Sequence, residues 1–303
     1  MQQSLFQQPP RDTGLRVGPA GWNYKDWEGM VYPAGAGGSF DPLRFISEYW
    51  DAVEINSSFY SPPRPLDCKR WAQRVSGNPR FRFTAKAWQR LTHESKEPGA
   101  SSLQADCEVV LRSMAPLMEA GVFGALLIQF PWSYRYSEAN VEHLQQLFRQ
   151  FTSLPLAVEV RHGSWDRETF YDLLRENRVC FCNVDQPVIG NSIKPSSRVT
   201  ARIGYFRLHG RNYRTWFQEG AGRDARYDYL YSRNEIREIA GLIQTVKQQA
   251  EETYAITNNH FRGQALANAL EIMEELDANP PAIPPLLASA YPHLAERKSS
   301  SLH

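Results

Sequence analysis

Short apolar runs and longer stretches of helical period alternate along the chain. The short runs are Leu15–Gly18, Ala52–Asn56, Phe81–Lys86, Ala125–Phe130, Leu156–Arg161, Val179–Asp185, Ile203–His209 and Tyr254–Asn259. They are rich in Val, Ile, Phe and Tyr and are often closed by Gly, Pro or Asn, which predicts β-strands. Between them Leu103, Val110, Leu111, Met114 and Leu117 fall on one helical face, as do Val141, Leu144, Leu147, Phe148 and Phe151, and again Ile236, Ile239, Ala240, Ile243 and Val246. Ser137 before Glu138 signals one helix start, and Ser232 with Glu235 three residues on reads as a capping box. Such alternation, repeated through about 260 residues, predicts an α/β fold, a single (β/α)8 TIM barrel. The rival, a doubly wound open sheet, lacks its phosphate loop, because Gly18-Pro19-Ala20-Gly21 does not have the glycine spacing of a dinucleotide site.

Two stretches break the rhythm and are expected as long loops after strands 1 and 7: residues 22–40, and the irregular region within 186–231 that surrounds the seventh strand. The organisation expected is a flexible N-terminus (1–14), the barrel (15–276) and a proline-rich tail (277–303) that wraps over the barrel.

Composition narrows the classes. At 42% hydrophobic the chain can fill a sizeable core, which excludes disorder of the whole. A net charge of +1 gives no global pull towards nucleic acid or anionic membrane, so any attraction for an anion is local. No run of eighteen apolar residues is present, and the polar start lacks a secretory signal, so no membrane association is expected. Cys68, Cys107, Cys180 and Cys182 form neither a disulfide scaffold nor a zinc spacing. A cytoplasmic protein with buried thiols is expected.

Barrel enzymes place their chemistry at the carboxyl ends of the strands. Those ends carry Glu54 and Asn56, then Lys86, Gln129, Glu159 with Arg161 and His162, Asp185, Arg207 with His209 and Arg211, and finally Asn258, Asn259 and His260. Residues two apart share a strand face, so Glu54, Lys86, Glu159, Arg161, Arg207 and His209 are expected to point into the barrel mouth. Val53, Ile55, Phe83, Val158, Val160, Phe206 and Leu208 then fill the layer under the helices. Buried charges of both signs need pairing, and a closed salt-bridge plug is the plain alternative to a site. Glu54 or Glu159 is the acid/base candidate, with His209 assisting and Lys86, Arg161, Arg207 and Arg211 stabilising negative charge. His162, His209 and His260, with Glu54, Glu159 or Asp185, could alternatively hold a divalent metal, although no tight ligand spacing is present.

Gly210 with Arg211, and Gly263 with Arg262, begin the loops where barrels often bind phosphate. The expected partner is therefore a small anionic or phosphorylated ligand. Trp22, Tyr24 and Trp27 could stack on such a ligand or pack the first loop. The arginines between Arg198 and Arg226, interleaved with Tyr205, Tyr213 and Trp216, leave open a single-stranded nucleic-acid partner. A non-catalytic ligand-binding barrel is a third possibility. The sequence specifies no cofactor and no oligomeric state.

The sequence also resembles the YecE-like family, called domain of unknown function 72, over residues 15–276. The motifs that carry the resemblance begin with Gly21-Trp22-Asn23-Tyr24-Lys25-Asp26-Trp27, Tyr32-Pro33 and Val53-Glu54-Ile55-Asn56-Ser57-Ser58-Phe59-Tyr60. Next come Phe83-Thr84-Ala85-Lys86, Thr92-His93, Gln129-Phe130-Pro131 and Glu159-Val160-Arg161-His162-Gly163-Ser164-Trp165. The last are Arg207-Leu208-His209-Gly210-Arg211, Tyr227-Asp228-Tyr229-Leu230-Tyr231-Ser232, and Asn258-Asn259-His260 with Gly263-Gln264-Ala265. The resemblance implies a TIM barrel and no established activity.

Overall fold

Each of the eight apolar runs forms a strand. They are β1 (Leu15–Pro19), β2 (Ala52–Ile55), β3 (Arg82–Lys86), β4 (Phe123–Gln129), β5 (Leu156–Glu159), β6 (Cys180–Asp185), β7 (Ile203–Leu208) and β8 (Glu252–Thr257). In this computed structural model, which describes residues 14–35, 37–94, 101–213, 226–276 and 281–295, all eight are parallel and neighbour one another in the order β1-β8-β7-β6-β5-β4-β3-β2. The ring closes between β1 and β2. There the Gly21 N–H donates to the Glu54 carbonyl at 2.8 Å, the Asp51 N–H donates to Val17 O at 3.2 Å, and Ala20 bridges Glu54. Gly18 permits that closure, because a Cβ at this position would lie 1.8 Å from the Ala52 carbonyl oxygen. The result is the expected (β/α)8 TIM barrel.

Strand alternation sorts the barrel into two apolar layers. Val53, Ile55, Phe83, Leu126, Ile128, Val158, Val160, Phe206 and Leu208 join the cluster under the helices. Ala52, Ala125, Leu127, Ala157, Cys180, Cys182, Val184, Tyr205, Tyr254 and Ile256 form the second, inside the ring. The small residues among these leave room in the ring for polar side chains from the strand ends.

The outer layer consists of α1 (Pro42–Tyr49), α2 (Pro65–Arg74), α3 (Leu103–Glu119), α4 (Glu138–Gln150), α5 (Glu168–Glu176), α6 (Arg233–Lys247) and α7 (Gln264–Leu276), followed by the short α8 (Pro285–Ala290). Ser137 caps α4 by accepting from the Asn140 N–H, and Ser232 with Glu235 forms both halves of a capping box on α6. Ser232→Ala removes the acceptor of that box and is expected to cost about 1 kcal/mol, read as a lower denaturant midpoint at unchanged slope. An unchanged midpoint would show that packing alone holds the helix start.

The β6–β7 crossover, residues 186–202, contains no helix. Pro187, Gly190 and Pro195 interrupt any helical period there. Side chains stand in for the helix. Asn183 Oδ1 accepts from Ser196 Oγ at 2.7 Å and from the Arg198 N–H at 2.9 Å, while Thr200 Oγ1 accepts from the Phe181 N–H at 2.7 Å. At the other end of the chain Leu287 and Leu294 are buried, and Tyr291 Oη donates to Arg262 O at 2.8 Å, so residues 281–295 pack back on the barrel. No described helix is long and apolar enough to cross a membrane.

Candidate active site

Charges of both signs meet inside the C-terminal end of the ring. Arg207, 1% exposed on β7, lies between two fully buried carboxylates: Nη2 donates to Glu54 Oε1 at 2.7 Å and Nη1 to Glu159 Oε2 at 2.6 Å. The other oxygen of each carboxylate is also engaged. Arg161 Nε donates to Glu159 Oε1 at 2.8 Å, and Tyr205 Oη lies 3.0 Å from Glu54 Oε2 and 2.8 Å from Thr84 Oγ1. Burial would raise the Glu159 carboxyl, but Arg207 and Arg161 overcome it and hold that carboxyl well below the ordinary carboxylate range. The same carboxylates outweigh burial at Arg207 and keep the guanidinium charged. This tier is the salt-bridge plug that the sequence left open.

A second tier stands above it. His209, also fully buried, is pushed down to about 3 by burial and by Arg161, so it is neutral. Its Nδ1 lies 2.9 Å from Asn258 Nδ2, and its Nε2 lies 3.3 Å from both Glu159 Oε1 and Arg161 Nη2. Arg161 keeps 16% of its side chain exposed.

Lys86 ends β3 beside these groups and differs from them. No carboxylate lies within 4.0 Å of its ammonium among the described residues, and its one close partner is the face of Phe59, whose ring centroid is 4.0 Å from Nζ. Burial, then Arg207, lowers the amine from the usual lysine range to about 7, against the weaker pull of Glu54 and Glu159. An aromatic face returns about 0.5–2 kcal/mol to a cation, too little to offset the loss of water next to two guanidinium groups. Lys86 is positioned locally by Ser58, whose Oγ lies 2.7 Å from the Lys86 carbonyl and 2.6 Å from that of Ile55, tying the ends of β3 and β2 together. His93 sets its ring edge-on to Phe59 at 4.8 Å, and burial followed by Lys86 lowers it to about 4.

Tyr24, Asn56 and His260 form a second arc of the rim. Tyr24 stacks on His260 at 4.4 Å between centroids, donates to Ala20 O at 2.6 Å, and is 3.5 Å from Asn56 Nδ2. Other expected site residues serve the scaffold. Trp22 packs edge-on against Trp71 and Phe83, and Gln129 Nε2 donates to Phe130 O at 2.7 Å. His162 accepts the Ser164 N–H at 3.1 Å and caps the turn after β5. Asn259 Nδ2 donates to Tyr229 O and to Asn268 Oδ1, each at 2.8 Å. Asp185 follows Val184, which faces into the ring, and so turns outward, where it takes Arg211 (2.7 Å) and Tyr231 Oη (2.7 Å).

The chain matches the family model described as Protein of unknown function DUF72 over residues 16–292. It belongs to the DUF72 family. The UPF0759 protein YunF of Bacillus subtilis (strain 168) is 26% identical over 273 residues, 87% of this chain and 95% of that protein. The crystal structure of a DUF72 family protein from Thermotoga maritima MSB8 superposes with a TM-score of 0.73 at 34% identity, covering 87% of this chain and 99% of that one. One from Enterococcus faecalis V583 gives 0.77 at 27% identity, covering 89% and 99%. The resemblance read in the motifs and the barrel are therefore both the family's.

Three expectations look different inside this DUF72 barrel. The anion cradle of the seventh and eighth loops uses its donors internally: the Gly210 N–H donates to Tyr231 Oη at 2.8 Å, the Gly263 N–H to His260 O at 3.1 Å, and Arg211 is held by Asp185, Glu235 and Glu238. No three His, Cys, Asp or Glu side chains converge as a metal set among the described residues. In the basic stretch, Arg198 pairs with Asp166 and Arg202 with Glu251 at the surface, while Arg207 and Arg211 pair with the carboxylates named above. Arg214, Trp216 and Arg223 lie outside the described residues.

The sequence reading placed Tyr205 only among the aromatics of the basic stretch and Phe59 only within a family motif, and it did not single out Gln186. Tyr205 was legible, since it stands two residues before Arg207 on the inward face. Gln186 stands two residues beyond the inward-facing Val184; it is 2% exposed, and neither polar atom of its amide has a partner. A buried, unsatisfied amide costs stability unless something pairs with it.

Proposed function

We propose that this DUF72 chain is an enzyme that binds a small anionic substrate at the C-terminal mouth of the barrel and moves a proton with Lys86. The reading is supported above all by one observation: an amine that titrates near neutrality, without a carboxylate partner, at the strand end. Glu54 and Glu159 were the acid/base candidates of the sequence. With both oxygens of each held by Arg207, Arg161 and Tyr205, the reading makes them the base on which the cations are mounted. Arg161 then faces the substrate's negative charge, and Asn258, through neutral His209, keeps that rim polar. With Lys86 in its protonated form, three cations, Lys86, Arg161 and Arg207, stand against two carboxylates. The excess of one positive charge suits a substrate with a single negative charge, such as a carboxylate, better than a phosphate dianion.

Millimolar acetate, pyruvate or lactate is expected to raise the melting temperature at pH 7. A ligand present at a hundredfold its dissociation constant adds about 2.7 kcal/mol. Arg161→Met should abolish the effect while leaving the ligand-free protein folded. Stabilisation that persists undiminished in Arg161→Met, or none with any of the three anions, contradicts the reading.

A further inference from the structure

Resting on that reading of the mouth, we infer that Lys86 is a covalent nucleophile and that the substrate is a small carbonyl compound carrying one negative charge, of the 2-oxo acid type, held as an imine. The geometry favours attack over simple proton transfer. A lysine placed for acid/base work alone is commonly seated on a hydrogen-bond partner that receives or returns its proton. Lys86 Nζ instead lies 4.0 Å from the ring centroid of Phe59, and its lone pair, once formed, has no donor among the described residues to occupy it. The neighbouring guanidinium groups of Arg207 and Arg161 favour the neutral amine, which is one of the two general ways a lysine is activated for attack; the other, an apolar wall, is supplied by Phe59. Arg161 then addresses the carboxylate of the same molecule.

The step balances without a redox partner. The ammonium gives one proton to solvent, and the Nζ lone pair attacks the carbonyl carbon. A C–N bond forms as the C=O π pair moves to oxygen. That oxygen takes up protons, one of them from nitrogen, and leaves as water, giving a protonated imine. Ammonium plus carbonyl becomes iminium plus water, and the positive charge stays where Lys86 carried it, above Glu54 and Glu159. The iminium is the electron sink for removing a proton or a carboxylate from the adjacent carbon.

Gln186 deepens the picture independently. Its amide, buried and without partners, directly follows β6, two residues beyond the inward-facing Val184, and has a donor and an acceptor group for a hydroxyl or carbonyl of the same molecule.

The test uses the full chain, with sodium borohydride added in the presence of pyruvate or of acetaldehyde, followed by intact mass and peptide mapping. At pH 7 pyruvate should give one reduced adduct, at Lys86, exceeding labelling of exposed lysines such as Lys69 or Lys194 by about three orders of magnitude, the ratio of neutral fractions between an amine at about 7 and one at the ordinary lysine value of about 10.4. The adduct should disappear in Lys86→Met, and Arg161→Met should lower labelling by pyruvate at least tenfold more than labelling by acetaldehyde, which lacks the carboxylate. Adducts spread over exposed lysines with Lys86 untouched overturn the inference. If Lys86 is untouched while acetate still stabilises the protein through Arg161, the imine falls and the anion site stands. If acetate also fails, both fall.

Discussion

Arg207→Met is expected to lower folding stability by about 3–5 kcal/mol, measured by urea unfolding at pH 7. Methionine fits the volume, so the loss is electrostatic. Glu54 and Glu159 are both 0% exposed, and each would lose its shortest charge-assisted hydrogen bond, 2.7 and 2.6 Å respectively. A charged carboxylate without a partner in the barrel interior costs several kcal/mol or takes up a proton. Glu54 would retain only Tyr205, whose single hydroxyl proton also has Thr84 within reach, and Glu159 would retain Arg161. Removing the whole group is a different matter. Replacing a buried ionic cluster by apolar residues is often neutral or stabilising, so Glu54→Leu and Glu159→Met added to Arg207→Met should recover most of the loss. That recovery would show that the cluster serves to mount Arg161 and Lys86 and is not needed to hold the barrel together. A single Arg207→Met change that costs under about 1 kcal/mol would mean that the plug is solvated.

Lys86→Met is expected to act in the opposite direction and to stabilise the protein by about 1–3 kcal/mol at pH 7. One unit of pKa displacement corresponds to about 1.4 kcal/mol, and the figure is set below the full displacement because Lys86 keeps some contact with water. Methionine removes the desolvated charge and can place sulfur against Phe59. The pH dependence follows from the sign of the shift. The folded-state amine titrates at about 7 and the unfolded one at about 10.4, so between those values the unfolded chain holds the extra proton and parent stability rises with pH. Below pH 7 both states are protonated and the penalty is constant. The advantage of Lys86→Met should therefore be full and flat below about pH 7 and fade towards pH 10. Parallel stability curves for the two proteins would show that the amine is not perturbed by folding.

Much of this architecture is legible in the residues. Strand alternation alone places Glu54, Lys86, Glu159, Arg161, Arg207 and His209 on the inward register, and these are the side chains that meet. The same alternation, carried from Cys182 through Val184, turns Asp185 outward, which explains its pairing with Arg211 rather than with the cluster. What the sequence does not reveal is how each charge is shared. Arg211 and Arg161 are equivalent in composition, yet one is held by three carboxylates from the far side of β6 and from α6, while the other pairs with Glu159 and His209 of the inward cluster. Likewise Gly210 and Gly263 read as room for an anion, whereas their N–H groups close turns. Trp22 and Tyr24, two residues apart in an irregular loop, go to opposite environments because no strand or helix period governs them. The missing helix between β6 and β7 was signalled by Pro187, Gly190 and Pro195. Its replacement by Asn183 and Thr200 side-chain bonds depends on contacts 13 to 19 residues apart, beyond any local period.

The account centres on a lysine amine that is neutral at close to physiological pH above a fully paired Arg–Glu cluster. The direct measurement is a pH titration of the Lys86 side chain by NMR in protein labelled at lysine, with the signal assigned by its loss in Lys86→Met. A midpoint near 7, moving upward in Arg161→Met as a neighbouring cation is removed, is the result expected. A midpoint at the ordinary lysine value of about 10.4 would contradict the account.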